Sequence, residues 1–129
     1  MAHPNDQTLR TAYEAFGRGD FEGYLSHCTA DVIFHIPGRN PVSGTYTRAQ
    51  FLDPFIKRLG ATFGGTFREK VIDVFANDDR GVVLARHDFS RRGVPFTYLT
   101  VHLYAITEGR LAEFREFPED QYALDAALA

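Results

Sequence analysis

The chain has 129 residues, a length that suits a single domain spanning 1–129. Hydrophobic residues make up 44% and charged residues 24%, with 17 acidic against 14 basic side chains for a net charge of −3, a globular composition that excludes disordered, collagen-like and coiled-coil classes and offers no cationic face for nucleic acid. A lone cysteine, Cys28, excludes an internal disulfide framework, and no apolar run approaches the roughly 18 residues of a membrane span, so neither membrane insertion nor secretion is expected and the cytoplasm is the expected compartment.

In chain order, Asn5 or Asp6 is placed to cap a first helix with Leu9, Ala12, Tyr13 and Phe16 on one face, stopped by Gly17 and Gly19. Asp20 caps a shorter second helix through Phe21, Tyr24, Leu25 and Cys28, ending near Ala30. Val32 to Pro37 reads as a strand, and the cluster Pro37-Gly38-Arg39-Asn40-Pro41 as a turn. A third helix fits Thr47 to Leu59, with Phe51, Leu52, Phe55, Ile56 and Leu59 on one face; Pro54 inside it implies a kink or a late start. Beyond the Gly60–Gly65 loop the period becomes strand-like. Thr66–Ala76, Gly81–Ser90, Pro95–Thr107 and Arg110–Phe117 are separated by Asn77-Asp78-Asp79, Arg92-Gly93 and Glu108-Gly109, which predicts an antiparallel meander, followed by a short helix or tail. Helices first and a meander second predict an α+β fold in which a strongly bent sheet is covered by helices.

Alternation on the longest strand puts Phe96, Tyr98, Thr100, His102 and Tyr104 on one face, either an outer surface or the wall of a pocket, and Thr97, Leu99, Val101, Leu103 and Ala105 on the other, which reads as ordinary core. His35 shares its face of the first strand with Ile33 and Pro37, opposite Val32, Phe34 and Ile36; it is either a proton carrier or a satisfied core histidine. His87 and Asp88 point to opposite faces and so make no direct acid–base pair, which leaves Arg86 or Asp88 facing inward towards Arg115 or Glu116 as the alternative. The acidic finish allows one buried carboxylate. No His, Cys or carboxylate spacing matches a metal site, and Gly60 to Gly65 lacks the Lys-Ser/Thr ending of a phosphate loop. Cys28 is either a nucleophile without an evident partner or an inert buried thiol.

The run Asp31-Val-Ile-Phe-His-Ile-Pro-Gly38, then Gly44-Thr-Tyr46 and Phe51, together with the closing run Gly109 to Asp125, resembles the SnoaL-like branch of the nuclear transport factor 2-like superfamily across about residues 5–126. The resemblance implies a cone-shaped barrel of bent antiparallel sheet, its concave face covered by three helices from the N-terminal half, enclosing an apolar pocket, and a homodimer through the sheet's outer face. Counted back from Gly44, the position of the catalytic Asp of ketosteroid isomerases is held by His35, and that of their second carboxylic acid falls at Val101 or His102, of which His102 is the polar choice. Their oxyanion-hole tyrosine aligns with Ala12; Tyr13 is one residue on, about 100° around the helix. The Asp–Arg–Asp set of the superfamily's epoxide hydrolases has no clear counterpart.

What the resemblance implies is a cofactor-independent isomerase or cyclase acting on an apolar small molecule. His35 is its base, and His102 with a tyrosine, Tyr46 or Tyr98, stabilises an enolate oxygen. The wall of that pocket is expected from Tyr13, Phe16, Tyr46, Phe51, Phe55, Tyr98, Tyr104 and Glu116, with neither metal nor cofactor. A non-catalytic binding or dimerisation module and an epoxide-hydrolase-like hydrolase are the alternatives.

Overall fold

The computed structural model describes residues 3–129. Helix α1 (Pro4–Gly17) starts one turn earlier than the polar pair Asn5-Asp6 suggests: Pro4 takes the first position, where its missing N–H costs nothing, and His3 Nδ1 accepts from the Asn5 amide at 3.1 Å. Asn5 is instead buried, its Nδ2 donating to the Asn77 carbonyl at 3.0 Å, which pins the helix to a hairpin far along the chain. Helix α2 (Phe21–Leu25) is capped by Asp20, whose carboxylate accepts from the Gly23 amide at 2.8 Å. It ends before Cys28, which opens strand β1 (Cys28–Ile36), so the strand is longer than its β-rich end indicates.

The short strand β2 (Gly44–Thr47) pairs antiparallel with β1 and has too few residues to announce itself by alternation. Thr47 and Gln50 form a reciprocal cap on α3 (Arg48–Gln50). The helical path breaks at Asp53 (φ −151°, ψ 111°), because the ring of Pro54 disfavours helical backbone in the residue before it, and resumes as α4 (Ile56–Phe63). The expected kink is therefore present, and α4 runs on into the predicted glycine loop until Gly64 (φ 58°) ends it in the left-handed region.

Strands β3 (Arg68–Ala76), β4 (Arg80–Arg91), β5 (Val94–Thr107) and β6 (Arg110–Pro118) form the meander, and α5 (Gln121–Leu128) closes the chain. Two hairpin turns, Arg92-Gly93 (φ 53° and 78°) and Glu108-Gly109 (φ 49° and 75°), have both central residues left-handed, the twist that matches flanking strands. Asn77 Oδ1 makes the third, accepting from the Asp79 and Arg80 amides.

The sheet order is β2-β1-β6-β5-β4-β3, antiparallel except where β1 runs parallel to β6. This six-stranded sheet is strongly curved into the expected cone, and its edges do not close on each other. Helices α1, α2 and α4 with α5 pack on its inner side, α5 adding to the N-terminal-half helices foreseen. Leu9 of α1 sits against Gly81 of β4, where a Cβ would lie 2.6 Å from Leu9 Cδ1, so the missing side chain sets how closely helix and sheet approach. No helix among the described residues is long and apolar enough to cross a membrane.

Candidate functional site

Inward residues of the curved sheet and the facing helices line a cavity of about 80 Å³. Its walls are mostly rings, among them Phe16, Phe34, Phe51, Phe55, Phe63 and Phe114. The polar groups gather on the sheet, and strand register sets their pairing. Glu69 stands directly across from His87 and His87 from Tyr98, on β3, β4 and β5; His102 stands across from Glu116, on β5 and β6. Directly opposed residues on one face lie within side-chain reach, so each row becomes a hydrogen-bonded chain.

In the first chain, Glu69 Oε2 lies 2.6 Å from His87 Nε2, and His87 Nδ1 lies 2.7 Å from the Tyr98 hydroxyl. A carboxylate only accepts, so its partner nitrogen Nε2 carries the proton and Nδ1 is left to accept from Tyr98. In the second, Glu116 Oε2 accepts from Thr100 Oγ1 at 2.9 Å and faces His102 Nε2 at 3.3 Å, while His102 Nδ1 meets the Tyr13 hydroxyl. From Tyr13 the hydroxyls continue to Tyr104 at 2.7 Å and on to Tyr24 at 2.8 Å. The imidazoles of His87 and His102 are 5.3 Å apart between ring centres, so the two chains form one cluster.

Burial is the largest influence on His102 and favours its neutral form, yet the Glu116 hydrogen bond and the charges of Glu116 and Glu69 outweigh it and raise its pKa. For Glu116 burial likewise pushes up, and the bond and charge of His102, with His87 and Thr100, bring it below the usual carboxylate value. Burial drives the hydroxyls of Tyr13, Tyr24 and Tyr104 well above the ordinary phenol value and raises Tyr98 too, so all four remain protonated donors at neutral pH.

Of the residues singled out from sequence, Tyr13, Phe16, Phe51, Phe55, Tyr98, His102, Tyr104 and Glu116 line this cavity. His35 does not. Phe34 and Ile36 take the inward positions of β1, and the His35 ring lies on the opposite face with Nε2 2.8 Å from Glu113 Oε2, in a half-exposed pair. His35 and His102 therefore do not converge. Tyr46 is buried but outside the lining, its hydroxyl donating to the Val42 carbonyl at 2.8 Å and accepting from Arg58. Neither Arg86 nor Asp88 faces inward; they pair with each other at 3.4 Å on the outer side, and the inward position between them belongs to His87. Cys28 is buried beneath α2, and burial pushes its thiol up to about 12, the behaviour of an inert thiol.

Tyr24, Glu69 and His87 were not foreseen as site residues. His87 shares its strand parity with Val83, Ala85 and Phe89, and Glu69 with Phe67 and Val71; a single polar residue in an otherwise apolar row is the signal that marks both. Tyr24 carries no such signal, since its place on the apolar face of α2 is that of an ordinary helix-core ring.

The sequence profile of the SnoaL-like domain matches residues 9–114. The chain superposes on Bal32a, from a soil-derived mobile gene cassette, with a TM-score of 0.89 at 28% identity over 99% of this chain and 98% of that one. It shares its fold with TerC, crystallised with polyporic acid, at a TM-score of 0.86 and 24% identity over 98% of each chain. An uncharacterized protein of Mycobacterium tuberculosis H37Rv is 28% identical over 123 residues, which is 94% of this chain and 93% of that protein.

Proposed function

Since the chain belongs to the SnoaL-like domain family, a branch of the nuclear transport factor 2-like fold that includes polyketide cyclases and isomerases, we propose that it is a cofactor-independent enzyme of the isomerase or cyclase kind, moving a proton α to the carbonyl of a small apolar compound. The observation that carries this reading is the pair of carboxylate–imidazole contacts, from separate strands, meeting inside one ring-lined cavity.

Proton abstraction needs a base whose gained proton is stabilised and a donor for the oxygen that becomes negative. His87 supplies the first. Its Nδ1, released by the Tyr98 hydroxyl when substrate enters, takes the proton while Glu69 holds Nε2–H and balances the charge that forms. Tyr13 supplies the second: its hydroxyl, backed by His102 Nδ1, whose ring Glu116 holds from the other side, is the donor for an enolate oxygen. Relative to the reading from sequence alone, the base moves from His35 to the Glu69–His87 pair, and the phenol from Tyr46 or Tyr98 to Tyr13. Phenylalanine walls exclude water from the carbanion and select apolar substrates.

The test is deuterium uptake at α-carbons of cyclic enones and 1,3-diketones in heavy water, followed by proton NMR. The wild-type chain catalyses exchange; Glu69→Gln, which keeps shape but loses charge, slows it by about 100-fold or more. Exchange equally fast in Glu69→Gln overturns the assignment. Ligand-induced thermal stabilisation with no exchange in any chain supports the binding-module alternative instead.

The same reading includes a homodimer. On the outer face of the sheet Leu99 and Phe117 are exposed, and the half-buried Leu84, Val101 and Leu103 adjoin them through the register Leu84↔Val101 and Val101↔Phe117. A second copy covers this apolar stripe.

A further inference from the structure

Three ligand-type atoms of the cluster point at one place. Glu69 Oε2 is 2.6 Å from His87 Nε2 and 4.0 Å from His102 Nδ1, and the three lie within 4.8 Å of one another. Around a tetrahedral zinc ion with N and O bonds of about 2.0–2.2 Å, donor atoms stand roughly 3.3 Å apart, so side-chain shifts on the order of 1 Å bring all three to one ion.

What separates this from a chance grouping is the second ring nitrogen of each histidine. With an ion in place of the proton on Nε2, His87 takes its other tautomer and Nδ1–H donates to the Tyr98 hydroxyl at 2.7 Å, while His102 Nε2–H donates to Glu116 at 3.3 Å, with Glu116 itself held by Thr100. Metal-ligating imidazoles are oriented in this way, one nitrogen on the ion and the other on a carboxylate or hydroxyl. Charge points the same way. The cavity lining contains Glu69 and Glu116 but, among the described residues, no lysine or arginine. With both imidazoles neutral, one divalent cation brings the buried sum to zero, and Tyr13, giving up His102 Nδ1 to the ion, keeps its bond to Tyr104.

We propose that Glu69, His87 and His102 bind one divalent transition-metal ion of the zinc class, oriented by Tyr98 and Glu116. Two histidines and one carboxylate leave a coordination position open to the cavity, as in hydrolytic zinc sites. This goes beyond the proton-transfer reading and does not depend on it. An ion there takes Glu69 and His87 out of proton transfer, since the ring proton of His87 then sits on Nδ1, so occupancy suppresses the metal-free exchange described above.

The experiment uses the full chain, stripped with EDTA, then equilibrated separately with Zn²⁺ and Co²⁺ and passed through a desalting column. One ion is retained per chain, and the Co²⁺ form shows the intense visible absorption of a low-coordinate site. Glu69→Gln and His102→Gln abolish retention, Tyr98→Phe weakens affinity by about 10-fold, and His35→Ala, outside the cavity, leaves binding unchanged. Should a cavity variant fail to fold by circular dichroism, imidazole NMR of the wild-type chain decides: on zinc addition the His87 and His102 resonances move and that of His35 does not. No ion retained by the wild-type chain, equal retention in folded Glu69→Gln, or movement only of His35 overturns the proposal.

Discussion

Tyr104 illustrates how much one hydroxyl does in this cavity. Its oxygen bonds both Tyr13 and Tyr24 in a fully buried setting, so Tyr104→Phe removes the middle of the chain and leaves two phenols each short of a partner. An unsatisfied buried donor or acceptor costs about 1–3 kcal/mol, and an unfolding free energy lowered by that amount, read from a lower urea midpoint at unchanged slope, is the expected result. His35→Ala is the contrasting case. Its pair with Glu113 is half-exposed, where such contacts contribute under about 1 kcal/mol, so the urea midpoint barely moves and α-proton exchange continues at the wild-type rate. At this scale alternation separates the two faces of β5 without saying which is inward: the apolar set with Leu99, Val101 and Leu103 reads as core, yet the structure turns it outward and buries Tyr98, Thr100, His102 and Tyr104. His35 was drawn in by its count from Gly44, although its own parity, opposite Val32, Phe34 and Ile36, already turned it outward. His87 stands between two charged neighbours, Arg86 and Asp88, so charge along β4 points away from the inward imidazole between them.

Among the elements, α5 and the loop at 37–43 both contribute wall residues to the cavity, Gln121, Leu124 and Leu128 from one and Pro37, Asn40 and Val42 from the other. Asp125 fastens them together, accepting from the Arg39 amide at 3.0 Å, Asn40 Nδ2 at 2.8 Å and Gln121 Nε2 at 2.9 Å. Partial burial raises the Asp125 pKa, but these three bonds and the Arg39 charge outweigh it and hold the carboxyl below its ordinary value. A depressed folded pKa means that the latch is at full strength above the unfolded aspartate value of about 3.9 and is lost as pH falls through the lower folded value. Amide exchange in α5, corrected for intrinsic rate, stays flat from neutrality to about pH 4 and rises below it; Asp125→Ala shows the faster exchange at every pH. Gly38 (φ 89°) lies against the same latch, where a Cβ would come 2.2 Å from Gln121 Nε2 and 2.4 Å from Asp125 Oδ1, so Gly38→Ala reproduces the loosened state through strain and displacement together. Element types were readable from caps, turns and periodicity. The fastening of α5 was not, because it joins polar groups some eighty-five positions apart in the chain.

For the whole molecule, the outer stripe of Leu84, Leu99, Val101, Leu103 and Phe117 is where the proposed homodimer can be tested. Charges placed there, Leu99→Glu with Phe117→Glu, convert a dimer to a monomer by light scattering while leaving the cavity intact; a wild-type chain that elutes as a monomer at high concentration removes the homodimer from the reading. The layout of helices followed by a bent meander was legible from the change of period near residue 65. The parallel contact of β1 with β6 was not, since it depends on a chain crossing that local pattern does not encode.

The cross-strand alignment of Glu69, His87 and Tyr98 gives the chemistry an odd–even address. Inserting one residue early in β4 would leave the ladder formed yet exchange His87 for its outward neighbours, putting an arginine or an aspartate beneath the phenylalanine walls. Point substitution along these rungs, by contrast, can exchange one acid–base set for another with the backbone untouched, so a scaffold of this kind diversifies by side-chain replacement and is guarded against frame slippage.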